Sequence, residues 1–200
     1  MTNVMFWLRR PHLVLPRLRF WLFERFNADK PWLCTGTIEY LERFLKKDWK
    51  GVEFGSGRST RWLASRLGHL VSVEHNLEWH AIVTKQLQEV NIQNVDYRLI
   101  PLEHVEKAPE QEDYNPLPKY VGLLDEFEDR SIDFVLVDGH YRSFCVKHSI
   151  EKLRPGGLLV VDDTNLWNST GNPPVPESWK CVNVSTNGIK TAKIWQKPAS

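Results

Sequence analysis

From Thr35 onward, short apolar runs alternate with segments whose apolar residues recur at every third or fourth position. The runs 50–54, 69–74, 95–100, 132–138 and 158–162 read as strands, several ending at glycines or carboxylates. Ile132-Asp133-Phe134-Val135-Leu136-Val137 is apolar enough to be buried on both faces, as a central parallel strand requires. Between the runs, 37–45, 59–67, 79–90 and 143–153 carry the helical spacing. Gly68 follows the second of these as a C-cap. Pro155-Gly156-Gly157 predicts a turn into the fifth strand, and residues 103–120 read as a polar, proline-containing loop. Strands alternating with helices at this spacing imply a doubly wound α/β fold with a mostly parallel sheet.

The tail differs. Runs 179–185 and 190–196 flank Asn187-Gly188. Asn-Gly between two strand-like runs predicts an antiparallel hairpin, because both residues tolerate positive φ. Five parallel strands plus this hairpin make a seven-stranded sheet, whereas a dehydrogenase-type domain more often continues in parallel.

Residues 1–32 form a separate compositional zone. Six basic residues (Arg9, Arg10, Arg17, Arg19, Arg25, Lys30) face two acidic ones (Glu24, Asp29), a local charge of +4. Aromatic and aliphatic residues from Phe6 to Phe26 are interleaved with them. Such a segment suits peripheral contact with an anionic membrane surface or a partner. It equally suits a helix that packs aromatics on the domain while its arginines stay wet. Pro11 and Pro16 argue against one long helix.

Composition adds limits. A chain of 200 residues fits one domain, and its 42% apolar and 26% charged content is that of a soluble globular protein. The net charge of +1 gives no bulk field for nucleic acid, so no nucleic-acid partner is expected. Cys34, Cys145 and Cys181 are too few and too far apart for a disulfide framework or a zinc knuckle, which fits a reducing, cytoplasmic setting. No stretch approaches a membrane span, and no secretory leader is evident.

The first strand runs into Glu53-x-Gly55-x-Gly57-x-Ser59. Glycines there let the backbone pass close to a ligand, and the next helix offers unpaired N–H groups. A dinucleotide fingerprint needs a glycine at the sixth position; here it is Thr60. Glu53 would repel a pyrophosphate but could accept from an ammonium. Glu74 ends the second strand about 20 residues on, the separation a ribose-binding carboxylate requires.

The run Val52 to Thr60, with Glu74, resembles motif I and its partner acid in the class I S-adenosylmethionine (SAM)-dependent methyltransferases. The resemblance spans roughly residues 35–197. It implies the Rossmann-like methyltransferase fold, with SAM at Glu53, Gly55, Ser56, Gly57, Ser59 and Glu74, and Glu74 accepting from both ribose hydroxyls. His75 would stack near the adenine or form a surface turn. Ser59 departs from the family, since many members have a third glycine there. Leu99-Ile100-Pro101-Leu102 lacks the acid that many members place near the adenine. The domain reading that follows is a basic, aromatic extension over 1–34 and a methyltransferase domain over 35–200.

Asp138 ends the fourth strand, and Asp162-Asp163 the fifth. In an open α/β sheet these tips face the crevice of the glycine loop. Three carboxylates there need something positive between them; Mg²⁺ is one solution. The set is similar to that of metal-dependent O-methyltransferases of the catechol and macrocin types, which implies Asp138, Asp162 and Asp163 as metal ligands. Without a metal, Asp138 would cap the next helix or contact the cofactor amine. His140 is a candidate general base with Asp138 as its catalytic neighbour, because imidazole titrates near neutrality. Arg142 could meet an anionic acceptor or pair with Asp138. The proline-rich run 165–176 reads as a loop over the crevice, either an acceptor lid carrying Trp167 or a plain connector, with 101–120 as a second wall.

The expected activity is therefore methyl transfer to a hydroxyl of a small-molecule or saccharide acceptor. Rival readings are a metal-free methyltransferase acting on nitrogen or another atom, a catalytically decayed SAM-binding or docking protein and, weakest given Thr60 and the terminal hairpin, a nicotinamide dehydrogenase.

Overall fold

The computed structural model describes residues 11–108, 114–167 and 171–199. Phe6, Trp7, Arg9 and Arg10 of the basic zone, and parts of both predicted loops (109–113 and 168–170), lie outside these. After a 3₁₀ turn at Pro11–Leu13, α1 spans Val14–Phe26 and α2 Thr35–Phe44. Then come β1 (Lys50–Phe54), α3 (Arg58–Ala64), β2 (His69–Glu74), α4 (Leu77–Glu89) and β3 (Val95–Leu99). A short α5 (Lys119–Gly122) precedes β4 (Ile132–Val137), α6 (Arg142–Lys152) and β5 (Leu153–Val161). The chain closes with β6 (Lys180–Thr186) and β7 (Thr191–Gln196).

The seven strands form one sheet in the order β3-β2-β1-β4-β5-β7-β6. The first five pair in parallel, and β7 pairs antiparallel with both β5 and β6. Along β4 the side chains alternate between two cores, as the period of two demands. Val135 and Val137 join Phe54, Tyr120 and Tyr141 on one face. Phe134 and Leu136 join Leu41, Trp62 and Ile194 on the other. Both faces are thus covered, which is why β4 reads as a continuous apolar run.

Two expectations change in detail. Pro155-Gly156-Gly157 does not precede the fifth strand but lies within it, as an irregularity: Ile132 pairs with Leu153 and Phe134 next with Leu158. Gly156 absorbs the excursion at φ +77. At the hairpin only Gly188 takes a positive φ, +88. Asn187 works instead through its side chain, whose Oδ1 accepts from the N–H groups of Ile189 (3.0 Å) and Lys190 (2.8 Å).

Candidate functional site

Strand order reverses between β1 and β4, where crossovers leave the sheet on opposite sides and a crevice opens at the carboxyl ends. A cavity of about 400 Å³ lies there, lined by Gly55, Ser56, Glu74, His75, Glu106, Asp138, His140 and others. That size falls in the roughly 300–1,000 Å³ range of small-ligand sites.

The floor is backbone against backbone. Gly55 has φ +89, and a Cβ on it would stand 2.8 Å from Gly139 Cα. A Cβ on Gly139 would meet the Tyr120 hydroxyl at 2.1 Å and Gly55 N at 2.9 Å. These two glycines let the loops after β1 and β4 touch. A Cβ on Gly57 would find only the Trp79 ring, at 3.8 Å.

Beneath the loop lies Glu53, fully buried. Its Oε2 accepts from Thr60 Oγ1 (2.7 Å) and Ser72 Oγ (2.6 Å), and Thr60 Oγ1 in turn accepts from Gly57 N (3.0 Å). Burial pushes its carboxyl up to about 7, against the pull of the Ser59, Ser72 and Thr60 hydroxyls. Glu53 and the buried Ser59, both expected at the cofactor, do not line the cavity. Glu53 organises the loop from below, and Thr60 is the link.

Glu74 does line it. Its Oε2 accepts from Ser56 Oγ (2.9 Å), and its Oε1 from the N–H groups of His75 and Asn76 (both 2.8 Å). Ser56 Oγ also lies 2.6 Å from the Tyr97 hydroxyl. The His75 ring stands edge-on to that of His140, centroids 4.3 Å apart. Burial, and then His140, lower the His75 pKa.

His140 has a partner that sequence reasoning missed. Its Nδ1 lies 2.6 Å from Glu106 Oε2, while Glu106 Oε1 accepts from Tyr141 N at 3.1 Å. A carboxylate at Nδ1 favours the Nδ1–H tautomer, leaving Nε2 as the acceptor. Glu106 stands in the loop after β3, where no periodicity marks it; the only signal was a long loop beside the crevice.

Asp138, Asp162 and Asp163 each offer an oxygen within 4.8 Å of the others. Two cations already stand among them. Lys190 Nζ is 3.1 Å from Asp162 and 3.2 Å from Asp163. Arg142 Nη2 is 3.4 Å from Asp163 and 3.5 Å from Asp138, and its Nη1 donates to Asp162 O at 2.6 Å. Burial, with mutual repulsion, still raises the pKa of Asp138 and of Asp162. Asp162 Oδ1 is buried without a hydrogen-bond partner. Lys190 follows the Asn-Gly turn and was legible only as part of a hairpin. Trp167 is no lid: it is buried, and its Nε1 donates to Ser143 Oγ at 3.1 Å. Leu166 beside it lines the cavity instead.

The family model for a methyltransferase domain matches residues 52–164. A search of curated proteins finds no match. Among solved structures, the chain is similar to a methyltransferase from Geobacter sulfurreducens, at 13% identity and a TM-score of 0.60, with 92% of this chain and 89% of that one covered. It is also similar to SMU.1697c from Streptococcus mutans, crystallised in complex with S-adenosylhomocysteine (SAH), at 11% and 0.59, covering 80% and 95%. An rRNA methylase from Streptococcus thermophilus shares the fold at 12% and 0.54, covering 81% and 94%.

Proposed function

The chain belongs to the methyltransferase domain family, and from that premise we propose that it moves a methyl group from SAM to a hydroxyl of a small-molecule or saccharide acceptor. The observation that carries the hydroxyl reading is the Glu106–His140 pair at the cavity. SAM, when bound, supplies an electrophilic methyl group on a sulfonium. Everything else is the chain's own work. Glu74 accepts from the ribose hydroxyls in place of Ser56 Oγ, and Gly55 and Ser56 present their backbone beside it. His75 packs near the adenine. Asp138 holds the cofactor amine end or the acceptor. Glu106 holds the His140 ring, and Nε2 would take the proton of the acceptor hydroxyl when that oxygen gains the methyl and the sulfonium S–C bond breaks, and would pass it to water once SAH has left. Alignment of donor and acceptor supplies much of the rate. Residues 35–200 are read as the catalytic domain and 1–34 as an extension. The three unpaired cysteines support a reducing compartment.

A second reading is metal assistance, favoured by the carboxylate trio and the unpartnered Asp162 Oδ1. Oxygen donors suit Mg²⁺, which would lower the acceptor's pKa. Lys190 and Arg142 supply most of the required positive charge already, so the metal-free form is preferred. Calorimetric titration with SAH, with and without Mg²⁺, tests both. Micromolar binding independent of Mg²⁺, weakened at least ~10-fold by Glu74→Ala, is the expected result. Absence of SAH binding by the folded wild type would sink the proposal. In the acceptor screen that follows, saccharides and phenols stand against rRNA fragments, because an rRNA methylase shares the fold.

A further inference from the structure

Helix α1 buries its smaller apolar edge and leaves the larger one in water. Phe20 is buried and Phe23 packs half-covered against the core. At about 100° per residue, Val14, Leu15, Leu18, Trp21, Leu22 and Phe26 fall together on the opposite side. All six are exposed, from 41% for Leu22 to 77% for Phe26. Arg17 and Arg19 stand at the two borders of this face and Arg25 within it, while Glu24, the one acid of the helix, lies half-buried at its edge. A concavity of about 370 Å³, lined by Val14, Arg17, Leu18 and Trp21, opens on the same face.

Apolar residues flanked by arginines need a partner that is apolar inside and anionic at its rim. A second copy of this helix would set the same arginines against one another. A phospholipid surface meets both needs, since acyl chains take Leu18 and Trp21 while phosphates take the guanidinium groups. No helix among the described residues is long and apolar enough to cross a membrane, so the contact is peripheral. We propose that the exposed face of α1 docks on an anionic phospholipid bilayer. The helix also touches the site's own frame. A Cβ on Gly188 would stand 2.5 Å from Leu13 O and 3.0 Å from Arg17 N, and Lys190 lies two residues further on. Docking would thus bring the hairpin turn, whose Lys190 pairs with Asp162 and Asp163, toward the membrane surface and toward an acceptor held there. The docking itself is independent of the methyl-transfer reading; only the placement of the acceptor rests on it.

The test is flotation of the full chain with vesicles of phosphatidylcholine alone or with added phosphatidylglycerol. Wild type is expected to float with the anionic vesicles at low salt and to be released at high salt. Leu18→Glu combined with Trp21→Glu lowers the bound fraction about 10-fold or more, and Arg19→Glu with Arg25→Glu lowers it on anionic vesicles. SAH titration of each variant reports the fold and the cofactor site separately from lipid binding. Wild type left behind by anionic vesicles, or variants floating as well as wild type, would overturn the proposal. A wild-type dimer that Leu18→Glu and Trp21→Glu splits, without vesicle binding, would overturn it too and assign the face to a second copy.

Discussion

Glu53 shows how a single residue can be recognised for one reason and placed for another. An acid two positions before the first glycine suggested a group that meets the cofactor's ammonium. It sits instead under the loop, held by Thr60 and Ser72. Its carboxyl is raised from 4.5 to about 7 by burial, so the folded state favours the protonated form. That contribution is complete below about 4.5 and is lost as pH rises through 7, to an extent of roughly 3 kcal/mol. Glu53→Gln keeps an acceptor for the Thr60 and Ser72 hydroxyls at Oε and removes the titration. Relative to wild type, its stability in denaturant titrations should rise between pH 5 and pH 8. A constant difference across that range would refute the assignment.

At the scale of elements, the apolar pattern located each longer helix from α2 onward and every strand to within a few residues, apart from the first five residues of β5, because both periods are enforced by burial on two faces of the sheet. Elements without a period were harder. The Pro-Gly-Gly run entered β5 as an irregularity, since a turn signal and a bulge signal use the same residues. The lid expected of Trp167 became a core contact: loop composition does not say which way an indole points. The hairpin was legible from Asn187-Gly188, although its turn is secured by the Asn187 side chain rather than by two positive φ values. Asn187→Ala strands two amide donors, and each costs about 1–2 kcal/mol. The melting temperature should drop by roughly 4–10 °C, measured by thermal unfolding followed by circular dichroism. An unchanged melting temperature would mean that Gly188 alone makes the turn.

Across the whole molecule, the candidate site draws on strand tips that the sequence marks and on two long-range partners that it does not. Glu106 reaches His140 from 34 residues away and Lys190 reaches Asp162 from 28. Separations of that kind leave no local trace. The Glu106–His140 contact makes a prediction about the assembled crevice. Nitrogen NMR of the His140 ring should find the Nδ1–H tautomer in wild type and its loss in Glu106→Ala, which removes the acceptor at Nδ1, with SAH affinity unmoved. The same tautomer in both proteins would remove Glu106 from the positioning role. The reach of Lys190 also sets an order of events during synthesis. While the chain grows, β1 to β5 can associate once Asp163 has emerged, and at that stage Asp138, Asp162 and Asp163 are gathered with Arg142 as their one cation among the described residues. Their last cation arrives with the terminal hairpin. The crevice is therefore electrostatically unfinished until the final strands have left the ribosome, and closing the sheet edge and completing the site become the same late step.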